Sequence, residues 1–238
     1  MILHNRNRFG RAVLPLLAAL ALFATVHCPA QKSYIGRYDL FVGFSDINAP
    51  YVNNLNQPGF TAQGGFSHGR WLASGFDYSV ESGTGPFTAS LLPANLQQEL
   101  AAELPPGYHL NIPTDVTIQT FAAGSQLEYR HFAKTTILIH PVLCALRINA
   151  TLHPGDPVAS AVMAQLVPSG KKADWTGGYG AGGGTDLHVS KHLSARMQTD
   201  LVWSHPVNDL LGKGFWIYRF SVGPSFHFGR NIATGKAK

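Results

Sequence analysis

An alternation of bulky apolar side chains with mostly small or polar ones is the feature that most restricts the fold of this chain. It is clearest in "FWIYRFSVGPSFHF" at residues 215–228, where Trp216, Tyr218, Phe226 and Phe228 share the even positions. Side chains spaced by two residues lie on one face of a β-strand. The segment is therefore predicted to form a strand with one bulky apolar face.

The same period recurs along the chain and predicts a series of strands. The fifth of them, "TILIHPVLCALRI", is apolar at both sets of positions, so alternation does not assign its faces. The eight predicted strands lie at 37–47, 59–68, 70–81, 115–130, 135–151, 175–189, 193–204 and 214–228.

The connections alternate between long and short. The tight turns are "HGR", "HFAK" and "SKH", and the long connections are residues 48–58, 82–114, 152–174 and 205–213. Short turns on one side and long loops on the other are typical of outer-membrane barrels with an even number of antiparallel strands.

The N-terminus has the pattern of a secretory signal peptide. Three arginines precede the apolar run "AVLPLLAALALFATV", and small residues lead to a predicted cleavage after Ala30. The run is too short for a membrane-spanning helix. Cleavage would remove Cys28 and leave Cys144 without a partner, so we expect no intramolecular disulfide.

The charge of the chain argues against a protein that binds nucleic acid. Charged residues make up 13% of the chain, against about 25% in an ordinary soluble domain. Residues 1–30 hold three arginines and no acidic residue, so cleavage lowers the formal net charge of +5 by three. We therefore expect no nucleic-acid partner.

The large aromatic residues favour a membrane over water around the strands. A closed barrel can cross a bilayer because every backbone N–H and C=O is paired. Aromatic rings near strand ends suit the bilayer interface; the candidates are Trp203, Trp216, Tyr218, Phe226 and Phe228. A soluble lipocalin-like ligand-binding barrel, the less favoured reading, would have to fit the aromatic face of the last strand inside a narrow lumen.

Four segments, in this order, carry a family resemblance: "ASGFDYS", "FAAGSQLEYR", "GGGTDLHVSKHLSARMQTDL" and "YRFSVGPSFHFG". Together they make residues 37–228 resemble small outer-membrane β-barrel proteins of the OmpA-like transmembrane type, within the porin-like superfamily. The resemblance implies an all-β fold, an eight-stranded antiparallel up-and-down transmembrane barrel over residues 31–228. It also implies a bacterial outer-membrane location, contact with membrane lipid and dependence on the insertion machinery. Such barrels typically end on an aromatic residue, so residues 229–238 are expected to be a disordered C-terminal tail.

A charged face runs along the predicted lumen. A turn centred on Lys191 places Asp186 opposite Arg196, Gly184 opposite Gln198 and Gly182 opposite Asp200. We expect Gly182 and Gly184 to leave room for arginines from neighbouring strands. Two tiers of a structural charge network follow: Glu128, Asp186 and Arg196 near the tight turns, and Asp77, Asp200 and Arg219 above them. Side chains just fill a lumen of eight strands, which excludes a large open pore.

The second long loop contains a predicted helix, "PANLQQELAAELPPG", which Pro93 and Pro105 bound. Its leucines are spaced by four residues and form one stripe. We expect an extracellular partner to bind through residues 82–114, with candidate contacts at Leu96, Glu99, Leu100, Glu103 and Leu104.

No motif predicts a metal site or a cofactor. His188 and His192 have the spacing of a zinc helix but lie in a hairpin, and the glycine-rich "GGYGAGGG" lacks a following Lys-Ser/Thr. The favoured function is a non-enzymatic, monomeric outer-membrane protein that supports the envelope or presents its loops. The alternative is a lipid-modifying enzyme of the acyltransferase or deacylase type, with candidate histidines His131, His140 and His227.

Overall fold

The computed structural model describes residues 34–53, 55–132 and 134–233. It shows a closed antiparallel barrel in which each of eight strands pairs with the next and the last pairs with the first. The predicted fold class is confirmed. The predicted signal peptide, residues 1–30, lies outside the described residues.

The strands differ in length around the barrel. The strands β1, β2, β7 and β8 have 12 to 14 residues, and β3 to β6 have 17 to 19. All exceed the 9–11 residues or so that a tilted strand needs to cross a bilayer. Their bounds are β1 Tyr38–Ala49, β2 Leu55–Ser67, β3 Leu72–Thr88, β4 Asn111–Tyr129, β5 Thr135–Leu152, β6 Lys171–His188, β7 Leu193–Ser204 and β8 Phe215–Phe228.

The strands β3 and β4 are longer than predicted. They remain paired as far as Thr88 and Asn111, so the loop predicted over 82–114 shrinks to residues 89–110. Pro86 lies opposite Pro113. Antiparallel strands alternate between hydrogen-bonded and non-hydrogen-bonded pairs, and two facing prolines suit the second kind because neither has an N–H to donate.

The described helices are both in the long connections. Helix α1, Ala94–Glu103, was predicted, and helix α2, Pro157–Leu166, was not. The start signal of α2 is present in the sequence, because Asp156 caps the helix and Pro157 occupies its first turn. None of the described helices is long and apolar enough to cross a membrane.

The outer face of the barrel is apolar, and the two faces of β5 are now assigned. Its even positions, such as Leu138 and Leu146, are buried inside, whereas Ile139 and Leu143 are 58% and 67% exposed outside. Exposed Trp and Tyr side chains lie mainly near the two ends of the barrel, while exposed phenylalanines such as Phe44 and Phe60 also lie between the ends. The aromatic residues near the tight turns are Tyr38, Trp71, Tyr129, Phe132 and Phe228, and those near the long loops are Trp175, Tyr179, Trp216 and Tyr218. We call these ends of the barrel the turn end and the loop end.

The chain segments on either side of the barrel meet at the turn end. The Tyr34 hydroxyl donates to the Gly229 carbonyl at 2.9 Å, and the Ile232 N–H donates to the Ile35 carbonyl at 2.9 Å. The tail expected to be disordered after Phe228 is therefore hydrogen-bonded over its described part, residues 229–233. Residues 234–238 lie outside the described residues.

The lumen and the loop-end cap as the candidate functional site

The first buried charge cluster surrounds Arg196 near the turn end. Its Nε and Nη2 donate to the two carboxylate oxygens of Asp186 at 2.7 and 2.9 Å. Nη1 donates to Gln63 Oε1 at 2.7 Å, and Nη2 donates to Asp39 Oδ2 at 3.0 Å. The guanidinium also lies 5.5 Å from the centre of the Phe41 ring. We call these residues the Arg196 cluster.

The second cluster surrounds Arg219, closer to the loop end. Nη1 and Nη2 donate to Asp77 at 2.8 and 2.9 Å, while Nε and Nη2 donate to Asp200 Oδ2 at 3.0 and 2.7 Å. The Ser79 hydroxyl accepts from Nη1 at 2.9 Å, and His140 Nε2 lies 2.8 Å from Asp200 Oδ1. These residues form the Arg219 cluster, in which both oxygens of each carboxylate have a partner.

The structure brings five of the six predicted lumen residues into these two clusters. Glu128 instead bonds to Gln126 at 3.0 Å and pairs with Arg130. The register between β6 and β7 agrees with the turn-based prediction, since Asp186 lies opposite Arg196. Within the described residues no direct hydrogen bond joins the Arg196 and Arg219 clusters, so the two are separate.

Sequence reasoning missed five members of the clusters, namely Asp39, Phe41, Gln63, Ser79 and His140. Asp39 alternates with Leu40 and Val42 in "DLFV", so the alternation itself could have placed it in the lumen. Gln63 and His140 carry no such signal. Gln63 lies in a glycine-rich strand, and His140 lies in the strand that is apolar on both faces.

The lumen glycines make room for different groups than expected. A Cβ atom at Gly182 would collide with the Asp200 carboxylate and the His140 ring. At Gly184 it would lie 2.5 Å from the Met197 carbonyl oxygen and 2.8 Å from the Gln198 Cβ. The expectation that these glycines accommodate arginines is wrong: Gly182 accommodates the Asp200–His140 pair.

A cluster of hydroxyl and imidazole groups lies at the turn end of the lumen. The buried Ser194 hydroxyl contacts His188 Nδ1 at 2.7 Å and His227 Nε2 at 2.9 Å. Asp186 Oδ2 is 3.8 Å from that same His227 nitrogen. In a hydrolytic triad the carboxylate holds the opposite ring nitrogen. In this cluster the hydroxyl and the carboxylate both lie on the Nε2 side of His227, so the arrangement of a hydrolytic triad is not formed there. The cluster also faces the lumen, away from lipid.

The other candidate histidines lie apart from one another. His140 belongs to the Arg219 cluster, and His131 stacks on Tyr129 at the turn end with ring centroids 5.8 Å apart. His192 directs Nδ1 to the His227 carbonyl at 2.8 Å, away from the partners of His188. In the part of the chain that the structure describes, no group of three or more His, Cys, Asp or Glu side chains is arranged to hold a metal ion.

The loop end is covered by an apolar cap, which we define as residues 89–110 with α1, residues 153–170 with α2, and residues 205–214. Hydrogen bonds join its parts: Gly212 N–H donates to the Leu91 carbonyl at 2.9 Å, and the Tyr108 hydroxyl donates to Asp156 Oδ2 at 2.8 Å. Its core contains the buried residues Leu92, Leu100, Leu110, Ile112, Leu152, Ala159, Val162, Val167, Val207 and Leu210.

The predicted loop residues divide between the core and the surface of the cap. Leu100 is buried in the core, and Leu96 and Leu104 pack against it. Glu99 and Glu103 are exposed, and Gln165 donates to Glu103 Oε2 at 3.3 Å. The leucine stripe is therefore covered by the chain itself, and the outer surface of α1 is polar.

Two carboxylates, those of Asp156 and Asp174, accept hydrogen bonds that fix parts of the cap. The Ala159 N–H and the Tyr108 hydroxyl hold the pKa of the Asp156 carboxyl below its usual value. Val207 has φ of +49°, a conformation that β-branched residues rarely adopt. Its N–H donates to Asp174 Oδ2 at 2.6 Å. The carboxylate on β6 thus anchors a strained residue of the cap.

Comparison with known proteins places the fold. No family model matches the chain, and no curated protein matches it in sequence. Neisserial surface protein A (NspA) is similar in structure, with a TM-score of 0.52 and 12% identity over 80% of this chain and 97% of that one. The chain has the fold of a small outer-membrane β-barrel.

Two further outer-membrane proteins are similar at lower scores. OprG of Pseudomonas aeruginosa has a TM-score of 0.49 and 8% identity, covering 84% of this chain and 100% of that one. Ail of Yersinia pestis has a TM-score of 0.48 and 10% identity, covering 82% and 99%. Identities this low concern the fold, so the function of this barrel has to be argued from its own side chains.

Proposed function

We propose that this protein is a non-enzymatic barrel of the bacterial outer membrane with a closed lumen. The observation that carries the proposal is the pair of arginine clusters, whose central residues Arg196 and Arg219 are only 1% and 5% exposed. Buried arginines that share carboxylates on several strands stabilise one arrangement of the lumen, because breaking it would leave desolvated charges.

The lengths of the connections suggest how the barrel is oriented in the outer membrane. Short turns and termini of such barrels lie in the periplasm, and longer loops lie outside the cell. We therefore place the turn end in the periplasm and the cap on the cell surface. The exposed polar side of α1, including Glu99 and Glu103, is the part of residues 82–114 that we propose for contact with an extracellular partner. We propose that the protein is a monomer and that the barrel itself supports the envelope.

We expect the purified protein to show no stable conductance in planar bilayers. The Arg196 and Arg219 clusters cross the lumen, so we expect them to block a continuous water path for ions. Conductance should be measured at several salt concentrations beside a general diffusion porin. A variant that carries Arg219→Ala, Asp77→Ala and Asp200→Ala should, like the natural chain, show no stable conductance, because the Arg196 cluster still crosses the lumen. Stable conductance of the natural chain at the porin level would contradict the closed lumen.

The orientation can be tested with single cysteines in a Cys144→Ser background. Gly155→Cys lies between β5 and α2 at the loop end, and Lys191→Cys lies in the tight turn between β6 and β7. A membrane-impermeant maleimide should label the first variant in intact cells and the second only after the outer membrane is permeabilised. The opposite labelling pattern would reverse the proposed orientation.

A further inference from the structure

The loop half of the lumen contains an apolar cavity of about 100 Å³ beneath the cap. Strands of the barrel form its walls, and residues 206–211 of the cap form part of its roof. Its wall is made of aliphatic and aromatic side chains, among them Val116, Ile118, Ile148, Leu152, Val207 and Phe215. We call it the apolar cavity.

The two polar side chains on its wall already have partners. The Thr114 hydroxyl donates to the Ile112 carbonyl at 3.0 Å, and the Lys172 ammonium pairs with Asp209, whose side chain is 57% exposed. The surface that faces the cavity is almost wholly apolar, so it offers little to the donors and acceptors of a polar ligand. An apolar space of this kind does not stabilise water, which needs two to four polar partners.

The volume limits the size of the occupant. Protein interiors contain few voids larger than a water molecule. An apolar cavity of about 150 Å³ in another protein stays dry and binds benzene or xenon. The apolar cavity is somewhat smaller, so it has room for one small ring or a chain of a few carbons, and a whole lipid acyl chain would not fit.

The wall also separates much of the cavity from lipid. The strands β3 and β4 stay paired to Thr88 and Asn111, and β5 and β6 stay paired to Thr151 and Lys171. The cavity is lined by residues at the loop ends of these strands, Phe87 and Leu152, and by Val116 and Ile148 somewhat deeper in the barrel. On this side of the barrel, the paired strands lie between the deeper part of the cavity and the lipid.

We propose that the apolar cavity binds a free, small hydrocarbon molecule of about the size of one ring. Binding would depend on removing apolar surface from water and on contact with the wall. The proposed closed lumen is independent of this site, since the Arg219 cluster lies below it. Failure of binding would leave the conductance prediction untouched.

The test is a benzene titration of the protein in lipid nanodiscs, followed by methyl NMR. The methyl signals of Ile148 and Leu152 inside the cavity should shift and then saturate. Ile139 and Leu143 face lipid and serve as internal references. Their signals report benzene dissolved in the bilayer and should shift without saturating. Linear shifts at all four residues would overturn the proposal.

Two alanines on β5 give a matched pair of variants. Ala150 lines the cavity, and Ala145 is exposed on the lipid face of the same strand. Ala150→Phe should abolish the saturable shift, and Ala145→Phe should preserve it. Saturable binding that survives Ala150→Phe with unchanged affinity would overturn the proposed site.

A third variant keeps the test decisive if Ala150→Phe does not fold. Ile148→Ala enlarges the cavity and should raise the affinity for toluene relative to benzene by several-fold, read from Leu152. An unchanged ratio would count against the site. A lipid chain could be detected in a benzene-free sample of the natural chain by nuclear Overhauser effects from lipid to the Ile148 methyl. If these effects are present and disappear when benzene is added, a lipid chain is the occupant, which contradicts the proposal of a free molecule.

Discussion

Replacing Arg219 by methionine is expected to lower the free energy of unfolding by about 3–5 kcal/mol. Arg219 donates to two buried carboxylates, those of Asp77 and Asp200. Methionine fills a similar volume but leaves both carboxylates without their shared cation. Unfolding in urea from lipid vesicles, followed by tryptophan fluorescence and by heat-modifiable migration on gels, measures the loss.

The effect should shrink when the carboxylates are removed as well. The variant with Arg219→Met, Asp77→Asn and Asp200→Asn should be more stable than the sum of its single substitutions predicts, because no unpaired charge remains. Arg147 is the matched control, since it is exposed on the outer face and lies 5.8 Å from the Trp175 ring. Arg147→Met should cost less than about 1 kcal/mol. Additive effects across the Arg219 cluster would show that the contacts do not stabilise the folded state.

The strand faces could be predicted because membrane and lumen impose opposite demands on alternate residues. A one-residue shift of β7 against β6 would turn Arg196 towards lipid and away from Asp186, so the "SKH" turn and the polar pattern together allow one pairing of β6 with β7. The ends of β3 and β4 could not be predicted in this way. Their loop-end residues include Pro86 and Pro113, which usually indicate a turn or loop.

The partners across the lumen could not be predicted from local pattern. Arg196 meets Gln63 and Asp39, which are 133 and 157 residues away in the sequence. Which strands face each other across a closed barrel depends on strand tilt and stagger, and these are properties of the whole sheet. The same holds for the apolar cavity. The stripe of Leu96, Leu100 and Leu104 predicts that α1 buries one face. It does not predict that other segments of the cap cover this face or that a cavity lies beneath the cap.

The expected result for the cap is that Leu100→Asp opens it and leaves the barrel intact. Leu100 is 6% exposed in the core of the cap, so the substitution places a carboxylate among apolar side chains with no cation nearby in that core. A buried unpaired charge costs several kcal/mol. The cap has fewer backbone hydrogen bonds to the barrel than the strands have to one another, so opening the cap should relieve this cost before any strand separates.

Limited proteolysis of the folded protein measures the opening. A loss of about 3 kcal/mol in the local stability of the cap raises its open population by roughly 100-fold, and cleavage within residues 89–110 and 153–170 should accelerate by a similar factor when opening and closing are fast. Ala101→Asp is the control, because Ala101 is exposed on the same helix and its substitution leaves the cap core unchanged. Both variants should keep heat-modifiable migration. If Leu100→Asp abolishes the folded band while Ala101→Asp retains it, then cap and barrel fold as one cooperative unit, and the roof of the apolar cavity cannot open without unfolding the strands below it.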